Sequence, residues 1–302
     1  MKYLKVFLAM FIVFSFALTM VAVGTSPAPV SIPSKAPAGS DNPASKDGDD
    51  SVASSDTVSV PIIMYHALTS KPSEISTYFI GVKTFENDLK YLKSNGYTAV
   101  TMTDLASFVS DPNGALPDKP VVLTFDDGYF NNHKYGTPLL KEHKMKAVIS
   151  IIGSGSQTAS LEECHAEEFS SLTWDQVGEM HDSGVWEIQN HTYWLHEITP
   201  QRKGAQRNNG ESEEDYEQAL IADLSLMQGK ILETTGTAPN TFTWPFGAIS
   251  DEADDALRAL GFKATLSCYH GINQIKKGDP KSLFHLKRNL RTPTSTLSDL
   301  LE

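Results

Sequence analysis

Two adjacent carboxylates, Asp126 and Asp127, close the apolar run Val121-Val122-Leu123-Thr124-Phe125, and Gly128-Tyr129 follows. A buried strand that runs into carboxylates must solvate them at its rim or pair them with a cation, because an unpaired buried carboxylate is too costly. Alone, Asp-Asp-Gly is also an ordinary turn. A second stretch changes that weighting: Ile188-Gln189-Asn190 leads into His191-Thr192-Tyr193-Trp194-Leu195-His196, with two histidines five residues apart. On a helix, five steps of about 100° would separate them, whereas a strand end curling into a loop can converge them. Two imidazoles, one carboxylate and an open position for water make the donor set of a catalytic zinc-type site. The competing reading is a pair of solvated loops. Pro61-Ile62-Ile63-Met64-Tyr65-His66 also ends in a histidine, either a group that titrates near the working pH or a satisfied structural one. Thr243-Trp244-Pro245-Phe246-Gly247 ends in a turn whose Pro and Gly could present a backbone N–H.

Each of these groups stands where an apolar run stops, so the elements that carry them must be strands. From Val58 onward, short apolar runs alternate with helical patterns, the signature of a mostly parallel sheet with covering helices. Strands are expected at Val60–Tyr65, Tyr97–Thr101, Pro120–Phe125, Ala147–Ile152, Val185–Gln189, Phe242–Trp244, Ala264–Ser267 and Leu283–Leu286. Helices are expected at Phe85–Lys93 with Thr84 as cap, Asp104–Val109 after Thr103, Tyr135–His143, and from a Thr173/Gln176 capping box to Met180. The longest helix opens at Ser212 with Asp215, carries Tyr216, Leu220, Leu224, Met227 and Ile231 on one stripe, and stops at Gly236. About eight such units suit a (β/α) barrel, regular or distorted, in which functional residues gather where strands end.

The chain has 302 residues, 40% of them hydrophobic, and a formal charge of -12. That balance argues against a nucleic-acid partner, which needs a basic face. Two lysines precede the apolar run Val6–Val23, so residues 1–24 read as a signal peptide or an N-terminal membrane anchor, with residues 6–23 as a tether in the second case. Removing Lys2 and Lys5 would take the charge from -12 to -14. Residues 25–57, rich in Ser, Pro and Asp, read as a disordered linker, and residues 58–302 as a single catalytic domain. The expected location is secreted, or at the extracellular face of the membrane or cell wall. An oxidising compartment would permit a bridge between Cys164 and Cys268, the only two cysteines.

Together these motifs resemble the polysaccharide deacetylases of the NodB-homology type, carbohydrate esterase family 4. Thr124-Phe125-Asp126-Asp127-Gly128-Tyr129 is similar to the family's first motif, His191-Thr192 with His196 to its second, and Thr243-Trp244-Pro245-Phe246-Gly247 to a divergent third. The histidine spacing and Met64-Tyr65-His66 look most like the branch of poly-β-1,6-N-acetylglucosamine deacetylases. The resemblance implies a distorted, seven-stranded α/β barrel that removes acetyl groups from N-acetylglucosamine units of a polysaccharide; a monomer is expected, although the sequence does not fix the oligomeric state. It implies Asp127, His191 and His196 as ligands of a divalent metal, Zn²⁺ first, with Co²⁺, Ni²⁺ or Fe²⁺ also suiting the donors. Asp126 would be the general base, the Phe246 amide an oxyanion donor and His66 the general acid. Tyr129, Tyr193, Trp194 and Trp244, beside the motifs, are expected to stack on sugar rings.

Two departures from the pattern matter. Thr243 stands where the family carries an arginine that braces the catalytic aspartate, and Arg288 in Leu286-Lys287-Arg288-Asn289 is the candidate substitute. Leu283-Phe284-His285 fits another family motif, which makes His285 the rival of His66. An O-acetyl esterase acting on acetylated xylan and a non-catalytic glycan-binding surface protein are the alternatives. Adjacent aspartates are poorly separated for a glycosidase.

Overall fold

The computed structural model describes residues 56–162 and 169–302. The expected signal or anchor, nearly all of the linker, the tether at 6–23, and Cys164 with its pairing to Cys268 lie outside them. Among the described residues no helix is long and apolar enough to cross a membrane.

Eight parallel strands form the central sheet: β1 (Ile62–Tyr65), β2 (Thr98–Ala99), β3 (Pro120–Phe125), β4 (Ala147–Ile151), β5 (Trp186–Asn190), β6 (Thr241–Thr243), β7 (Ala264–Leu266) and β8 (Asn289–Leu290). Seven of them run in the order β7-β6-β5-β4-β3-β1-β8, with the short β2 beside β3. The two ends of this path meet in one segment, since Leu286 bridges Leu266 while Asn289 pairs with Ile63. The sheet thus curls into the expected distorted seven-stranded barrel. Outside it, Thr57–Val60 pairs antiparallel with Asn273–Lys276, and Ala67–Thr69 pairs with Phe79–Gly81.

The helices are α1 (Val82–Ser94), α2 (Met102–Ser110), α3 (Thr137–His143), α4 (Gly153–Glu162), α5 (Trp174–Asp182), α6 (Glu213–Thr235), α7 (Asp254–Ala259) and α8 (Leu297–Leu300). Alternation along the strands divides the core. Ile63, Tyr65, Leu123, Phe125, Ile149 and Ile188 face α1, α3, α5 and α6, whereas Ile62, Val122, Val148 and Leu266 pack with Leu283, Leu286 and the buried side of α2. A third cluster, around Tyr216, Leu220, Leu224, Phe242 and Trp244, seats α6 and α7.

Three local expectations need correcting. Thr84 does not cap α1: the chain enters it from Phe79–Gly81 with Gly81 at the cap and no side-chain bond. α2 starts two residues earlier than expected, capped by Thr101 with Asp104 reaching back, because the Glu187 carboxylate on β5 accepts the N–H groups of Met102 and Thr103 at 3.0 and 3.1 Å. Leu283–Leu286 is not a strand. Pro280–Leu283 is a 3-10 turn capped by Asp279, and His285 lies at φ +55°, so extended pairing resumes only at Leu286. The Thr173/Gln176 box and the Ser212-to-Gly236 helix stand as expected, with Gly236 at φ +71°. Ser212 accepts the Asp215 N–H at 3.0 Å, a cap whose loss typically costs about 1 kcal/mol. Ser212→Ala should therefore lower stability by about 1 kcal/mol in urea unfolding, and Ser212→Gly by only a few tenths.

Candidate active site

Strand register assembles the site. Tyr65 is opposite Phe125, so His66 and Asp126 leave β1 and β3 side by side, and the Asp126 N–H donates to the Tyr65 carbonyl at 3.1 Å. Across β4, Ile151 pairs with Asn190 and its carbonyl accepts the His191 N–H at 3.2 Å. The strand ends therefore bring together residues that are about 40 to 60 positions apart in sequence.

Backbone strain then aims the side chains. Asp127, Thr192 and Phe246 all adopt positive φ, at +71°, +72° and +57°, a conformation that non-glycine residues hold at a cost of roughly 1–3 kcal/mol each. Gly128 follows Asp127 at φ +75°, and a Cβ there would fall 2.9 Å from the Ile151 side chain. The tight turn swings Asp127 toward the histidines. Its Oδ1 lies 3.6 Å from His191 Nε2 and 3.4 Å from His196 Nε2, and the three donor atoms all lie within 4.8 Å of one another. Ligand atoms bonded at about 2.1 Å in a tetrahedral array stand roughly 3.4 Å apart, so these residues fit a divalent ion. His191 Nδ1 is 2.8 Å from the Thr243 carbonyl. That bond makes Nδ1 the donor and leaves the Nε2 lone pair facing Asp127. Burial, then the neighbouring His191, pushes the pKa of His196 down to about 4, which keeps a ligand lone pair available. For His191, burial opposes the imidazolium, but Asp127 and Asp126 outweigh it and raise the pKa.

Arg288 reaches Asp126. The fork is bidentate, Nη1 to Oδ1 at 2.7 Å and Nη2 to Oδ2 at 2.8 Å, and both side chains are essentially buried. The other donors are taken too: Nε by the Ser267 carbonyl at 2.7 Å, Nη1 by Thr124 Oγ1 at 3.3 Å and Nη2 by Cys268 Sγ at 3.8 Å. All five N–H groups of the guanidinium are thereby matched. Burial raises Asp126, but the charge and hydrogen bonds of Arg288 more than offset that and hold its carboxyl well below the usual carboxylate range. Thr243, in the place of the family's arginine, instead shares a 2.7 Å hydrogen bond with Ser150 inside the barrel.

His66 is in this field as well. Its Nδ1 is buried with no hydrogen-bond partner among the described residues, and its ring lies 4.7 Å from that of Tyr78. Burial lowers its pKa, against the pull of Asp126 and Asp127. His285 is engaged elsewhere, Nε2 with Asp254 at 2.9 Å and Nδ1 facing Asp251 at 3.7 Å. The Phe246 ring stands 4.5 Å from that of His196, which sets the strained turn beside the three donors. For Tyr129, burial first, then the charge of Asp127, pushes the hydroxyl up to about 12.

Two of the expected sugar-stacking residues are corrected. Trp244 is fully buried in the third core cluster, and Tyr193 is 5% exposed and packed in the first, so neither ring offers a face to a ligand. Apolar packing under α6 and α7 takes the faces that a sugar would need. Trp194, 59% exposed, does offer one. Sequence reasoning missed Tyr78 and Phe169, both more than half exposed, with Phe79 between Phe169 and Tyr129. It also missed Asp223, whose signal was a carboxylate on the apolar stripe of α6, three residues after Leu220 and four before Met227.

A parallel α/β barrel with an Asp-His-His donor set that could hold a metal and an arginine-braced aspartate at its strand ends defines the class. Comparison with known proteins specifies it further. The family model for polysaccharide deacetylases matches residues 113–265. YxkH of Bacillus subtilis (strain 168) is 30% identical over 222 residues, covering 72% of this chain and 68% of its own. Poly-beta-1,6-N-acetyl-D-glucosamine N-deacetylase of Staphylococcus aureus (strain MSSA476) is 24% identical over 194 residues. That match covers 64% of this chain and 62% of the length of the relative. Among solved structures, a de-N-acetylase from Aggregatibacter actinomycetemcomitans superposes with a TM-score of 0.68 at 27% identity, covering 80% of this chain and 98% of that one. IcaB from Ammonifex degensii gives 0.63 at 26%, covering 78% and 92%. The chain belongs to the polysaccharide deacetylase family.

Folding is linked to the Arg288 fork with a definite sign. The folded pKa of Asp126 is depressed, so its pair stabilises the fold above the unfolded value of about 4 and is lost as pH falls below it. In Arg288→Met burial, the largest influence, would be opposed only by the weaker pull of His191 and His66, and the carboxyl would move up. That variant should be about 3–5 kcal/mol less stable at pH 7 by urea unfolding. It should regain part of the loss as pH falls toward 5, where the parent regains none from this group.

Proposed function

We propose that the protein is a metal-dependent deacetylase that hydrolyses N-acetyl groups of an N-acetylglucosamine-containing polysaccharide of the cell wall or an exopolysaccharide, releasing acetate. The observation that carries this reading is the convergence of Asp127, His191 and His196 beside an ionised, arginine-braced Asp126. Family membership and the likeness to N-deacetylases support it. A divalent ion bound by the three donors, zinc by preference, would polarise the acetamide carbonyl and lower the pKa of a water.

The chain's own groups do the rest. Asp126 accepts the proton of the attacking water; Arg288 occupies one lone pair on each of its oxygens and fixes the direction of the other. The low pKa of Asp126 keeps it in the accepting form throughout the working range. The Phe246 turn offers a backbone N–H to the developing oxyanion, and its left-handed φ sets that orientation in advance. His66 delivers a proton to the leaving nitrogen. Its lowered pKa makes the imidazolium, once formed, a ready donor, and an amine leaves poorly without one. The exposed Trp194 ring gives a face for a pyranose, with Tyr129 near the Asp127 charge. For location, the apolar run Val6–Val23 supports export or tethering outside the cytoplasm.

The deciding experiment is acetate release from poly-N-acetylglucosamine, peptidoglycan, chitooligosaccharides and acetylated xylan, with and without chelator. Release from an N-acetylated glycan that stops on chelation and returns with zinc is expected; release from xylan alone would make the protein an O-acetyl esterase, and no release at all would sink the reading. His66→Ala should lower kcat by about 10²–10⁴-fold, whereas His285→Ala should cost less than about tenfold. Equal losses would remove His66 from the acid role.

A further inference from the structure

We infer that Asp223 is the positioning residue of the metal-binding loop: from α6, its carboxylate gathers the backbone N–H groups between the two histidine ligands and holds them converged. The inference rests on the metal site proposed above. Between His191 and His196 the chain must reverse within five residues, and Thr192 at φ +72° begins the reversal. Successive amides then turn to one side. Tyr193 N–H donates to Asp223 Oδ1 at 2.8 Å and Trp194 N–H to Oδ2 at 2.7 Å. Asp223 is 8% exposed, and no ion pair reaches it among the described residues, so backbone dipoles alone hold its charge. Such a row of amides is a ready anion-binding concavity, and here the anion comes from the protein itself.

A second bond fixes the other end of the loop. Asn190 accepts the Thr192 N–H at 2.8 Å and donates to the Leu224 carbonyl at 3.2 Å, so the loop is tied to two consecutive residues of α6. A carboxylate is needed at 223 because two donors arrive together, one at each oxygen. An amide would present one oxygen, and its NH₂ would face an N–H that has no other acceptor. The role of Asp223 is therefore geometric. It touches neither the metal donors nor a substrate, and acts through the path of residues 193–195.

The test is zinc affinity, by competition with a chromogenic chelator, for the parent, Asp223→Asn and a core control on the same helix, Leu220→Ala. Asp223→Asn should bind zinc about 10–100-fold more weakly and shift the visible absorption of the cobalt-loaded protein. Leu220→Ala should lose stability and keep its affinity. Parental affinity in Asp223→Asn, or an equal loss in Leu220→Ala, would overturn the inference. Amide hydrogen exchange on the metal-free parent decides the matter if Asp223→Asn does not fold. Tyr193 and Trp194 should exchange as slowly as helix amides, and exchange at the rate of an open loop would overturn it. A parent that binds no zinc would sink the metal reading instead, and exchange would still report whether Asp223 anchors the loop.

Discussion

The buried fork between Arg288 and Asp126 is the interaction on which the rest of the site depends. An ionised carboxylate with almost no solvent access is costly unless a charge and hydrogen bonds surround it. Arg288 supplies both, and it can do so only because Ser267, Thr124 and Cys268 absorb its remaining donors. The barrel interior is accordingly layered. Ile62, Val122 and Val148 belong to its apolar core cluster, whereas Thr124, Ser150, Thr243 and Ser267 are fully buried and hydrogen-bonded near the strand ends where Asp126 emerges.

Around that fixed carboxylate the backbone departs from its relaxed conformations. Asp127, Thr192 and Phe246 are left-handed, and each belongs to a different strand end. Strain of this kind persists only where the surroundings over-determine it. Here the surroundings are identifiable: Ile151 against Gly128, Asn190 and Asp223 against the histidine loop, and the Trp244 carbonyl accepting the Gly247 N–H. The packed barrel holds the turns in place, and the turns hold the donors.

Much of this was legible in the sequence because it is local. Apolar runs that end in Asp126-Asp127, His191 and Phe246 mark strand ends, and strand ends of a parallel barrel share one rim. The Ser212 cap and the stripe of α6 follow from helical periodicity alone. What was hidden depends on long-range partners. Nothing near Met102 reveals that Glu187 will claim its N–H, and His285 stays a rival of the favoured His66 until Asp254 is seen to hold it. Tyr193 and Trp244 adjoin the motifs in sequence, yet alternation and the seat of α6 turn their rings into the core. Proximity in sequence to a catalytic motif says where a residue starts and not which way it faces.

The brace comes from the segment that closes the barrel, and this bears on the order in which the protein matures. As the chain is synthesised from its N-terminus, Asp126, Asp127, both ligand histidines and the Phe246 turn precede Arg288, which joins by contacts 162 residues distant from Asp126. Pairings so remote in sequence are late and slow to form. Until residues 286–290 dock between β7 and β1, Asp126 lacks its cation and stays above its native pKa, so a chain whose barrel is still open carries every functional group except the one that sets the base. The buried fork is in this way complete only once the last segment has closed the barrel.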